Sequence, residues 1–171
     1  MNFMKLAQKR YSCRQMSDRP VEKEKLEAII EAGRVAPTAV NQQPVKIFWM
    51  ASEEAQEKIH QVTGCIFGAK NFLVVGYELE GGWVRPFDEH HFAEVDASIV
   101  ATHMMLAVED LGLATTWVGF FDAPKLRQLC PEMEGYGLVA IFPVGYAAEE
   151  GGEPSPRHEK RKSTEEILTV L

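Results

Sequence analysis

The chain has 171 residues, 46% of them hydrophobic and 25% charged, with a formal net charge of −7. This is the composition of a single globular domain, residues 1–171, burying roughly 70% of its unfolded surface, and it argues against disordered or fibrous classes. The acidic balance argues against a broad basic face for nucleic acid or an anionic membrane, so local cation clusters become the informative feature.

From the start, MNFMKLAQKR lacks the long apolar run of a signal peptide, and nothing approaches the ~20 apolar residues of a membrane span. A cytoplasmic location without membrane contact is the expectation. Residues 2–9 read as a short helix, and RYSCRQM at 10–16 as an extended segment. Residues 21–34 carry Leu26, Ile29, Ile30 and Gly33 at helical spacing between Pro20 and Pro37, which predicts an amphipathic helix. PTAVNQQP at 37–44 is a proline-bounded polar loop, followed by the β-rich run VKIFWMA at 45–51.

Residues 53–63 read as a helix, and NFLVVGYE at 71–78 as a buried strand. Residues 78–91 form a long loop with two aromatics, of a length kept for function or a lid. The longest helix is predicted over 92–112, ending at Gly112. Then come a strand over 113–121, a short helix over 123–130, a strand over 136–146, and a polar, basic tail closing in a short helix. Helices and strands mix without strict βαβ alternation, so the fold class is α+β.

Four constellations bear on chemistry. In an extended segment Arg10, Ser12 and Arg14 share a face, with Tyr11 and Cys13 turned away; two guanidinium forks and a hydroxyl suit an anion, though a solvated basic stretch has the same pattern. Thr38, Asn41, Gln42 and Gln43 offer donors and acceptors for a heterocycle edge, or solvated amides in a turn. Asp96, His103 and Asp110 recur every seven residues as one polar line, read as a solvent stripe rather than a buried seam. His90, His91 and Glu94 have helical ligand spacing without a second cluster to complete a metal site, so no metal is expected. Cys13, Cys65 and Cys130 form no CxxC pair and read as reduced thiols. There is no GxSxG, GxxxxGK[ST] or GxGxxG.

In order, RYSCR at 10–14, RVAPTAVNQQP at 34–44, WVRPFD at 83–88, EVDASIVATHMMLAVEDLGLATTWVGFFD at 94–122, LVAIFPVGY at 138–146 and KRK at 160–162 resemble the FMN-dependent nitroreductase family. The resemblance implies a nitroreductase-like fold with a central, mainly antiparallel sheet flanked by helices, in an intertwined homodimer with FMN at the interface. It places Arg10, Tyr11, Ser12 and Arg14 at the FMN phosphate and ring, and Pro37, Thr38, Asn41 and Gln42 at the same cofactor from the partner chain. Trp117, Val118 and Gly119 would approach the flavin, with the Val118–Gly119 backbone near N5, and Pro143, Val144 and Gly145 would line it. Lys160 and Arg161 are the implied phosphate ligands, although the family's usual K-x-R spacing does not map cleanly onto EKRK.

The implied activity is FMN-dependent NAD(P)H oxidoreduction, in which NADH or NADPH reduces the flavin and a nitroaromatic, quinone or similar acceptor then takes the electrons. No side chain need be catalytic, since the flavin carries the chemistry. Trp83, Arg85, Phe87, Phe120 and Phe121 are expected as walls and lid of the substrate slot. Two other readings accompany it: a flavoenzyme of the same fold with other chemistry, such as reductive dehalogenation or flavin fragmentation, and a non-catalytic FMN-binding redox protein.

Overall fold

The computed structural model describes residues 2–171. Its centre is a four-stranded antiparallel sheet whose two middle strands are the chain's most apolar stretches. β2 (Asn71–Glu78) pairs with β1 (Val45–Met50) on one side and with β6 (Tyr136–Gly145) on the other, and β6 also pairs with the two-residue β5 (Ala114–Thr115). Alternation along β2 sends Phe72 and Val74 into one core and Leu73 and Val75 into another, while β6 divides Ile141 from Ala140, Phe142 and Val144 in the same way. Both faces of the sheet are therefore covered, which explains why these strands read as continuous apolar runs.

One face is covered by α2 (Lys23–Arg34) and α4 (Ala93–Asp110). The two helices meet where Gly33 packs on Met104, so closely that a Cβ on Gly33 would lie 2.8 Å from the Met104 Cγ. Met104 is buried as core filling. α4 ends as its sequence implies. Gly112 takes φ 71°, its N–H donates to the Glu109 carbonyl, and the Leu113 N–H donates to the Val108 carbonyl, which together close the last turn. The other face carries α3 (Glu53–His60), α5 (Ala123–Leu129) and the segment around Cys13 and Met16. α1 (Phe3–Lys9) precedes that segment, and α6 (Thr164–Ile167) comes near the chain's end.

Three expectations change. The predicted strand over 113–121 reduces to β5 plus an isolated bridge between Val118 and Ile141, because the chain leaves the sheet edge after Thr115. The long loop 78–91 contains a small hairpin, β3 (Val84–Arg85) with β4 (His90–His91). The polar line on α4 is no uniform solvent stripe. Asp110 is exposed, but Asp96 is 1% exposed and accepts a hydrogen bond from the Ala39 N–H at 2.8 Å. Among the described residues no helix is long and apolar enough to cross a membrane.

Candidate functional site

The segment after α1 is held on both sides, and this aims its alternate side chains. The Arg10 N–H closes the first helix on the Leu6 carbonyl, Ser12 forms a parallel bridge with Thr115, and the Cys13 N–H donates to the Thr115 carbonyl at 3.0 Å. The Thr116 hydroxyl donates to the Cys13 carbonyl. Further on, the Met16 N–H donates to Phe67 and the Ser17 N–H to Tyr146, while Gln15 accepts from the Ala148 N–H. Cys13 consequently points into the core and is fully buried, as the alternation predicts. Tyr11 departs from it. Its ring packs against the same core yet also borders the cleft formed by its neighbours.

That cleft has a volume of about 300 Å³. One wall is Arg10, Tyr11, Ser12 and Arg14, and the other is Ser155, Arg157, His158 and Arg161 from the tail. Four guanidiniums, an imidazole, a phenol and two serine hydroxyls thus line one space in a protein of net charge −7. Among the described residues none of the four guanidiniums is paired with a carboxylate; Arg14 bonds to the Ser12 carbonyl at 3.3 Å, and Arg161 to carbonyls of its own tail. Unneutralised Arg forks converging on one cleft are suited to a phosphate-like anion, which accepts several of their hydrogen bonds at once.

Arg157, His158 and Ser155 escape the sequence reading, because the tail has no periodicity. The signal present is spacing, since turns from Ser155 to His158 and from Arg157 to Lys160 gather the basic side chains. Lys160 is exposed and does not border the cleft, whereas Arg161 does.

The remaining predicted residues lie elsewhere within one chain. Pro37, Thr38, Asn41 and Gln42 belong to a loop with a short 3₁₀ turn, in which Val40, Asn41 and Gln43 all take left-handed φ between 45° and 57°. Such strain persists only where neighbours hold it. Here Asp96 does so through Ala39, and the Thr38 hydroxyl accepts from the Gln43 N–H at 3.0 Å. Asp96, expected on a solvent stripe, thus supports this loop from beneath; its other oxygen, Oδ2, is buried without a hydrogen-bond partner among the described residues. Thr38 borders a separate, largely apolar cavity of about 210 Å³ between α2 and β1. The loop and the basic cleft are thus distinct surfaces of the chain.

Trp117 packs edge-on to Phe142 at 5.3 Å. The Val118 N–H is committed to the Ile141 carbonyl at 3.0 Å, which leaves Gly119 as the backbone donor of that pair. A Cβ on Gly119 would meet nothing within 4 Å, so the space beside it is open. Pro143 and Gly145 are buried in β6, where the Pro143 carbonyl accepts from Thr115 and Gly145 makes room for Met16.

In the hairpin, Arg85 is already partly engaged, with two of its five N–H donors turned to Asp88. Asp88 takes them at 2.7 and 2.5 Å, holding its own carboxyl below the ordinary value, and the guanidinium lies over the Phe92 ring. Trp83 and His90 also pack on Phe92. Phe87, 93% exposed at the tip, and Phe120, 84% exposed, project into solvent.

Comparison with known proteins agrees with this architecture. A family model described as the nitroreductase family matches residues 7–71 and 65–146. A nitroreductase family protein from Clostridium difficile 630 superposes with a TM-score of 0.90 at 36% identity, over 99% of this chain and 98% of that one. A protein from Exiguobacterium sibiricum 255-15, described as a nitroreductase in complex with FMN, shares the fold at 18% identity, with a TM-score of 0.83 over 100% and 98% of the two chains. Among curated relatives, one from Methanothermobacter thermautotrophicus described as an NADH dehydrogenase/NAD(P)H nitroreductase is 26% identical, over 89% of this chain and 81% of its own length. An iodotyrosine dehalogenase 1 homolog from Caenorhabditis elegans is 22% identical over 94% of this chain, which spans only 58% of that relative. With the family model covering most of its length and a solved member matching it end to end, the chain belongs to the nitroreductase family.

Proposed function

We propose that this protein is an FMN-dependent NAD(P)H oxidoreductase that reduces nitroaromatic, quinone or similar small acceptors in two half-reactions sharing one site. The observation that carries the reading is the cleft of four unpaired guanidiniums, which fits the phosphate of FMN in charge and donor number. An FMN complex of a protein with the same fold and the NAD(P)H nitroreductase description of a relative support the choice of cofactor and donor.

When bound, FMN supplies the hydride acceptor and donor chemistry. The residues of this chain anchor and tune it. Arg10 and Ser12 hold the anionic end, with Arg157 and Arg161 facing them. A guanidinium near the ring edge, for which Arg14 is our assignment, favours a negatively charged reduced ring. The Gly119 N–H is the donor available for a polar contact at N5, and the open space above it leaves room for a flat donor or acceptor. Pro37, Thr38, Asn41 and Gln42 complete the site from a second copy in a homodimer. Trp83, Phe87 and Phe120 act as movable apolar walls.

The test is anaerobic stopped-flow mixing of the FMN-loaded protein with NADH and NADPH, followed by nitro, quinone and halogenated phenol acceptors. Bleaching by at least one nicotinamide and rapid reoxidation by a nitro or quinone compound is the expected result. No bleaching with either donor would remove the proposal, and reoxidation by the halogenated phenol alone would replace it with dehalogenation.

A further inference from the structure

We propose that Tyr11 is a positioning residue that latches the basic tail onto the cleft through the Gly152 carbonyl, so that the tail's cations face the anion. The inference rests on the reading of the cleft as the FMN phosphate site. The two walls of the cleft are about 145 residues apart in sequence, and something must hold them in register. Up to Ala148 the task falls to backbone pairing, with Ser17 bonded to Tyr146 and Ala148 to Gln15. Beyond the following turn the pairing ends.

The hydrogen bonds of His158, Lys160 and Arg161 run within the tail, to Ser155, Arg157, His158 and Lys160. At the start of that stretch, the Tyr11 hydroxyl donates to the Gly152 carbonyl at 2.7 Å, while the Cys13 thiol reaches the same oxygen at a looser 3.5 Å. The Tyr11 ring also meets the His158 ring edge-on at 6.2 Å, and the His158 side chain is 14% exposed. One aromatic side chain thus engages the tail at both ends of residues 152–158.

Two further features support the latch. Gly152 is buried in a turn so tight that a Cβ would lie 2.2 Å from the Ala148 carbonyl oxygen, so its own carbonyl has a narrowly defined position. The Tyr11 phenol is pushed above its ordinary value, chiefly by burial and then by the neighbouring Cys13, and therefore stays a donor across the physiological range.

The experiment compares wild type with Tyr11→Phe and, separately, Gly152→Ala, each also placed in an Arg157→Ala/Arg161→Ala background. The first readout is amide hydrogen exchange over residues 152–161 without flavin, and the second is FMN affinity by fluorescence quenching. Tyr11→Phe is expected to speed exchange in that segment alone and to raise the FMN Kd about fivefold. In the double-arginine background the added effect on Kd should vanish. Equal weakening in both backgrounds would make Tyr11 a general stabiliser or a direct contact and overturn the latch, as would unchanged exchange. If the wild-type protein binds no FMN, the flavin reading falls, and the exchange result alone upholds or overturns the latch.

Discussion

At the scale of single residues, the cleft separates what alternation can announce from what only folding assembles. Arg10, Ser12 and Arg14 were readable because an extended segment fixes every second side chain on one face. Replacing Arg10 by Ala should raise the FMN Kd roughly 10- to 100-fold, the range for loss of a charge-assisted hydrogen bond, measured by flavin fluorescence titration. Arg157 and His158 were not readable, since their partners lie far away in sequence. Another residue-scale prediction concerns Glu22. The Tyr146 hydroxyl donates to its carboxylate at 2.7 Å and is the main reason its pKa falls from 4.5 to about 2. Because the folded value is depressed, this contribution to stability is complete above about pH 4.5. It erodes as pH falls and is gone below about 2. Tyr146→Phe should flatten that part of the acid-unfolding profile, read by circular dichroism between pH 5 and 2, with little change in its slope above pH 5.

At the scale of elements, apolar runs and glycine signals located α2, β1, β2, α4 and β6 well, because their burial is carried by their own side chains. β5 is shorter than the predicted strand, and the reason is visible in Thr115 and Thr116. Both hydroxyls are buried, one donating to the Pro143 carbonyl at 2.7 Å and the other to the Cys13 carbonyl. The β-branched run ATTWV therefore serves as a stitch between β6 and the cleft segment rather than as a long strand. Thr116→Val keeps the shape but removes the donor to Cys13. It should cost about 1–2 kcal/mol, a fall in Tm of roughly 2–8 °C by calorimetry. Thr102→Val is the control. Its hydroxyl bonds back to the Ser98 carbonyl on an exposed helix face, and its loss should change stability by less than about 0.5 kcal/mol. Asp96 is buried where its spacing predicts solvent, for a related reason. Heptad spacing identifies a line on a helix but not what packs above it, and here the loop around Ala39 closes over the carboxylate.

At the scale of the whole molecule, the chain's ends carry apolar surface that one copy leaves in water. Phe3 and Met4 are exposed on α1, and Ile167, Leu168, Val170 and Leu171 are exposed around α6, a four-residue helix whose local support is a capping box between Ser163 and Glu166. A helix so short gains little from its own hydrogen bonds, so burial of its apolar side chains against a partner would be its main source of stability. In the homodimer proposed above, a second copy of this chain would cover this surface and would also bring the strained 37–43 loop to the partner's basic cleft. Burying a Val, Leu or Ile side chain contributes roughly 1.5–3 kcal/mol, so deleting residues 164–171 should weaken association at least about 100-fold even after most of the gross gain is offset by ordering costs. Sedimentation velocity across a concentration series would show the shift from dimer to monomer. If the site is shared as proposed, FMN should be lost in parallel with dissociation, because each copy would keep the basic cleft but lack the partner's loop. A truncated chain that remains dimeric at nanomolar concentration, or a monomer that holds FMN as tightly as the dimer, would refute the shared site.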